Sequence, residues 1–183
     1  MAAMWLLFMG VFFGCFLALE RQPAKDPSAA SIDFIEPPEG TLHVLMGLHP
    51  KCPCTSNSVV ALKRLMRTAG REAPCTILAM APSTTDASWI ETDNLALARN
   101  IPRATIVIDS DAQRSRELGI HASGGVMIVD ARGQVAFRGG ITAGRNCPLA
   151  GPGLDVAARA LSGERLGPQQ FPVFGCPLLA EAP

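Results

Sequence analysis

The chain has no excess of charge of either sign: lysine plus arginine and aspartate plus glutamate are sixteen each among its 183 residues. A phosphate backbone or an anionic membrane surface selects a basic face, so nucleic acid is not expected as a partner. Tyrosine is absent altogether. No Ser-His-Asp set or paired-carboxylate constellation can be picked out, which argues against the hydrolytic chemistries built on them. There is no internal repeat. The fifteen prolines and seventeen glycines are scattered between apolar runs, where they punctuate a compact fold rather than form a low-complexity segment.

What is present is apolar. Of all residues 48% are hydrophobic, enough for one substantial core. Four regions are expected: an N-terminal transmembrane anchor (1–19), a linker (20–38), a globular domain (39–168) and a C-terminal tail (169–183). Residues 1–19, MAAMWLLFMGVFFGCFLAL, carry no charged side chain and approach the length that spans a bilayer as a helix. A cleaved signal segment is the alternative, but the run is long for one and lacks both a basic start and a clear small-x-small cleavage site. Cys15 reads as a small apolar side chain inside the span. Glu20, Arg21, Lys25 and Asp26 cancel just beyond it, so charge does not set orientation. The linker, rich in proline, alanine and serine, is a semi-extended tether.

In the domain, Thr41–Gly47 is an apolar run of strand length that ends at LHPKCPC. From Ser56 onward Val59, Leu62, Leu65 and Met66 recur at helical spacing, predicting a helix to about Gly70 with Thr55 or Ser56 as its cap. Cys52 and Cys54 therefore fall between a strand and a helix start. Cys75–Met80 predicts a second strand, and ASWIETDNLALARN a helix with Trp89, Leu95 and Ala96 inward. Ala104–Asp109 predicts a third strand, followed by a short helix capped by Ser110 or Asp111. Gly125–Asp130 and QVAFRGG read as an antiparallel hairpin with Gly133 at a turn position needing positive φ. A last helix is expected over about Leu154–Leu161. The class is α/β, a mixed sheet covered by helices on both faces.

This order, with a cysteine pair at the first strand-to-helix junction, resembles the thioredoxin-like fold. The stretch ATIVIDSDAQRSRELGIHASGGVMIVDARGQVAFRGG is similar to the branch that holds the TlpA-like membrane-tethered thiol-disulfide oxidoreductases and the peroxiredoxins. HPKCPC, GGITAGR and VFGCPL also resemble a bacterial membrane-anchored group called RedB-like. The resemblance implies a thioredoxin-like domain on the periplasmic or extracytoplasmic side of a membrane. It implies protein or small-molecule thiols and disulfides as partners, and no cofactor. Three departures stand out. Thioredoxins keep two residues between their cysteines, whereas only Pro53 separates Cys52 from Cys54. Their cis-proline opposite the cysteines should fall near Gly125, where SGGVM has none. Peroxiredoxins place threonine or serine three residues before the reactive cysteine, and His49 stands there, which counts against peroxide reduction.

A thiol at a helix start faces unpaired amides and the positive end of the dipole, which favour the thiolate, the nucleophile of disulfide exchange. Cys54, nearest the helix, is expected to gain most, with Lys51 and His49 adding charge or a proton relay. Catalysis is assigned jointly to Cys52 and Cys54. A bridge between them would be strained and hence oxidising. Cys147 and Cys176, each before a proline in a glycine-rich loop, are auxiliary thiols that either approach the junction, bridge each other or remain free. Cys75 reads as a buried core residue. Two other functions stay open. His49, Cys52 and Cys54 form a soft cluster suited to copper(I) or zinc, with His43 or His121 as a further ligand. Alternatively the fold is a noncatalytic adaptor that binds through its tail.

Overall fold

The structure, a computed structural model, describes residues 41–69, 72–130, 132–164, 166 and 170–178. The expected anchor and linker lie outside these residues. Among those described, no helix is long and apolar enough to cross a membrane.

Six consecutive buried residues, HVLMGL, form the central strand β1 (His43–Leu48). It is followed by α1 (Thr55–Thr68), β2 (Cys75–Ala81), a 3-10 turn (Ala87–Ile90) and α2 (Asp93–Ala98). Then come β3 (Ala104–Ser110), α3 (Gln113–Glu117), β4 (Val126–Val129), β5 (Val135–Gly139), α4 (Pro152–Leu161) and β6 (Gln170–Phe171). The sheet order is β3-β2-β1-β4-β5-β6. β1, β2 and β3 run parallel, β4 pairs antiparallel with both β1 and β5, and β6 pairs parallel with β5. Part of the expected tail is thus a strand of the sheet.

Alternation along β1 sorts its side chains between two cores. Val44, Met46 and Leu48 meet Val59, Leu62, Leu65 and Met66 of α1, with Leu95 of α2 and Ala157 of α4 in the same cluster. Leu45 faces the other way, among Leu78, Leu118, Met127 and Leu178. Each fully buried leucine or methionine contributes about 1.5–3 kcal/mol. Packing of one apolar face, rather than intrinsic propensity, therefore fixes α1 and the loop that enters it.

Three local expectations need correction. The stretch 87–100 is not one helix. Asp86 caps the 3-10 turn by accepting from the Ser88 amide (2.8 Å), and extended Thr92 caps α2 by accepting from the Leu95 amide (3.4 Å). Two competing caps divide the segment, so Ile90, Leu95 and Ala98 are buried while Ala96 is exposed and Trp89 is half-buried. Nor do Ser110 or Asp111 cap α3. Buried Asp109 does so from the end of β3, its carboxylate accepting from the amides of Arg114 and Ser115 (both 2.9 Å) and from the Ser115 hydroxyl (2.6 Å). Finally, the N-cap of α1 is Cys54, which makes no side-chain capping bond. The hairpin turn is as expected, with Gly133 at φ +74°.

Candidate thiol site

The chain leaves β1 at Leu48 beyond the C-terminal ends of the parallel strands, where open α/β sheets expose their crevices. Two hydrogen bonds close the loop on itself: the Cys52 amide donates to the His49 carbonyl (3.1 Å), and the Thr55 amide to the Cys52 carbonyl (3.2 Å). Two residues of the α2 start hold it from outside. Asn94 Nδ2 donates to the carbonyls of Pro50 and Cys52 (both 2.8 Å), and the Thr92 hydroxyl to that of Pro50 (3.1 Å).

A second segment, before β4, meets the loop through Ser123. Its hydroxyl accepts from the His49 amide (2.8 Å) and shares a hydrogen bond with the Thr55 hydroxyl (2.5 Å). The third segment is the C-terminal one. The Ser123 amide donates to the Cys176 carbonyl (2.9 Å), the Leu178 amide to the His121 carbonyl (2.9 Å), and Ala122 and Pro177 form an antiparallel bridge. Gly175 makes this approach possible, since a Cβ there would lie 1.7 Å from the Ser123 carbonyl oxygen. The result is that the Cys176 amide donates to Cys52 Sγ at 3.3 Å.

Burial works against ionising Cys52, which is 1% exposed. Hydrogen bonds outweigh it. The Cys176 thiol, the Thr55 hydroxyl and the backbone amides of Cys176 and Cys54 all reach the sulfur and bring its pKa below the ordinary thiol value. The Cys54 residue at the helix start thus acts on Cys52 through its amide. Cys176 moves the opposite way, to about 11, chiefly through its hydrogen bond with Cys52, then through burial and the negative charges of Cys52 and Cys54. Arg145 acts against the rise.

Lys51 and His49 are otherwise engaged. Lys51 Nζ stands over the Trp89 ring (4.6 Å to the centroid), and the His49 ring meets Trp89 edge-on. His49 Nδ1 accepts from the Lys51 amide (3.2 Å), which leaves the proton of the neutral ring on Nε2. Burial, and then the nearby Lys51 charge, lower its pKa despite an opposing backbone hydrogen bond. Cys147 is half-buried in the turn after β5, where its amide donates to the Gly144 carbonyl (3.4 Å). It is not among the groups acting on Cys52 or Cys176. Cys75 lies in the core, where burial pushes it up to about 12.

Among the described residues no group of three His, Cys, Asp or Glu side chains is arranged to hold a metal ion. His43 is at the far end of β1, about 16 Å from Leu48 at the usual rise per residue. It hydrogen-bonds the Thr76 hydroxyl there (2.9 Å). His121 is exposed. An open groove of about 460 Å³ borders the loop at Lys51, Asp86, Trp89 and Thr92. A larger one, about 990 Å³, lies at the opposite end between Leu42, Glu72, Asp130 and Glu164, and no cysteine lines it. No cysteine lines the smaller groove either; it meets the thiol loop at Lys51. Sequence reasoning missed Thr55, Ser123, Thr92 and Asn94 as site residues. Thr55 is expected only as a helix cap, and the one sequence signal that bears on it as a site residue is its three-residue spacing from Cys52, where a thioredoxin carries its second cysteine.

Three parallel strands with an antiparallel hairpin beside β1 and flanking helices have the arrangement of a thioredoxin-like fold. No protein-family model and no curated protein sequence matches the chain. Among solved structures, it is similar to an uncharacterized conserved protein from Geobacillus kaustophilus. The two are 14% identical with a TM-score of 0.62, over 82% of each chain. A hypothetical protein from Sinorhizobium meliloti is 15% identical with a TM-score of 0.58, over 76% of this chain and 80% of the other. At these identities the likeness is one of fold. A secreted Mycobacterium tuberculosis disulfide oxidoreductase aligns at 15% identity and a TM-score of 0.48, over 69% of this chain and 84% of its own, too distant to bear on activity.

Proposed function

We propose that the protein is a thiol-disulfide oxidoreductase acting on protein or small-molecule thiols and disulfides, with Cys52 as its attacking thiol. One observation carries the reading: Cys52 Sγ is the common acceptor of donors from the helix start and from the C-terminal segment, including the Cys176 amide at 3.3 Å. Hydrogen bonds to a charged acceptor contribute about 1.5–3 kcal/mol each, and stabilising a thiolate favours the reduced form of the pair it belongs to. Such a pair is oxidising. The anchor and linker read from residues 1–38 would hold the domain at the extracytoplasmic face of a membrane, where disulfides persist.

The test uses the reduced full-length chain and glutathione disulfide. Cys52→Ser is expected to lower the exchange rate at least about a hundredfold, as loss of a nucleophile does. Exchange that survives this substitution overturns the assignment.

A further inference from the structure

Exchange at one thiol ends in a mixed disulfide unless a second thiol resolves it, and two candidates adjoin Cys52. Cys54 is nearer in sequence, but it is the N-cap of α1, with its amide directed to Cys52. A bridge from it would have to close across Pro53 alone, in a ring that strains ordinary disulfide geometry. Cys176 is 124 residues away in sequence, yet its amide touches Cys52 Sγ and its thiol hydrogen-bonds the same sulfur. It is also the more accessible of the two sulfurs in contact, half-buried where Cys52 is hidden.

We infer that Cys176 is the resolving thiol, and that the segment Gly175–Leu178 is a strap that covers Cys52 and carries its redox partner. The inference rests on the reading of Cys52 as the attacking thiol. The strap is tied to residues 121–123 by two backbone hydrogen bonds and to the core by Leu178. It must lift for a substrate to reach Cys52, and its return brings the second sulfur back into contact.

In the first step the Cys52 thiolate attacks a disulfide R–S–S–R. A Cys52–S–S–R bond forms, the original S–S bond breaks, and RS⁻ leaves to take up a proton. Capping Cys52 removes its negative charge and its hydrogen bond with the Cys176 thiol, the interactions that hold the proton on Cys176. Arg145 still favours the anion. Cys176 then gives up its proton, attacks Cys52 Sγ and expels the second RS⁻. Two electrons have passed from two protein thiols to one disulfide, leaving a Cys52–Cys176 bond and two RSH. The same contact thus suppresses Cys176 before the first step and releases it afterwards.

The experiment treats the reduced full-length chain with glutathione disulfide, blocks remaining thiols, and maps linked peptides after trypsin. The expected product joins residues 52–63 to residues 166–183, with fragmentation at Pro53 assigning the bond to Cys52 rather than Cys54. Cys176→Ser and Cys176→Ala are both expected to accumulate the Cys52–glutathione adduct and to resolve it at least about tenfold more slowly. Cys147→Ser is expected to resolve it normally. A Cys52–Cys54 or Cys52–Cys147 bond in the unsubstituted chain overturns the inference, and so does unimpaired resolution in either Cys176 variant. If those results come with exchange that still requires Cys52, only the resolving role fails. If Cys52→Ser exchanges normally, the functional reading fails with it. Peptide mapping of the unsubstituted chain decides the matter even if the variants misfold.

Discussion

Cys52 and Cys75 are equally hidden, each 1% exposed, and their acidities move in opposite directions. Cys75 opens β2 beside Val44, at the amino-terminal end of the parallel strands, with apolar neighbours in the main core. Desolvation acts on it unopposed. Cys52 lies past the opposite end of the same sheet, where donors from the helix start and from the C-terminal segment reach its sulfur. Burial by itself makes a thiol inert, and burial among aligned donors makes it acidic. The two cysteines differ in which end of the parallel strands they lie at and in what the chain brings there.

The largest contrast is in alkylation of the native chain. At neutral pH Cys75, at about 12, is ionised about a thousandfold less than an ordinary thiol, and Cys52 more than one. Iodoacetamide labelling followed by peptide mapping is expected to modify Cys75 only on unfolding, and Cys52 with a pH dependence displaced to the acid side of an ordinary cysteine. Equal labelling of the two would erase the comparison.

A next cut removes donors while leaving the sulfur. Gly175→Ala drives a methyl group into the Ser123 carbonyl and displaces the strap. Loss of the Cys176 amide bond should withdraw about 1.5–3 kcal/mol of thiolate stabilisation, read as a Cys52 titration shifted toward that of an ordinary thiol. Ser123→Ala strips the buried partner of both the His49 amide and the Thr55 hydroxyl. Its expected cost in denaturant unfolding is about 1–3 kcal/mol. The smallest effect belongs to the inert thiol. Cys75→Ala should cost about 1 kcal/mol of stability, the scale of one small apolar group, and leave exchange with glutathione disulfide unchanged.

The order of elements is legible in the sequence because each core strand is an apolar run and α1 repeats at helical spacing. The hairpin is legible because Asp130 and Gly133 supply the turn, the carboxylate accepting from the Arg132 and Gln134 amides (2.9 and 2.8 Å). What escapes is whatever depends on competition between polar side chains. Thr92 and Asp86 each end a stretch that periodicity alone would continue, and Asp109 caps α3 from five residues upstream. The location of the site is readable from Cys52 and Cys54, but the division of labour between them is not. Under the proposed mechanism it is set by Cys176, which meets Cys52 because Ser123 and Gly175 let two distant segments come together.

The central claim is that Cys52 carries a stabilised thiolate at the β1–α1 junction. Its most direct test is the thiolate absorbance of the reduced full-length chain as a function of pH, with the Cys52→Ser curve subtracted. A transition below the ordinary cysteine range is predicted, disappearing in denaturant. A Cys52 transition at or above that range, unchanged on unfolding, would contradict the account.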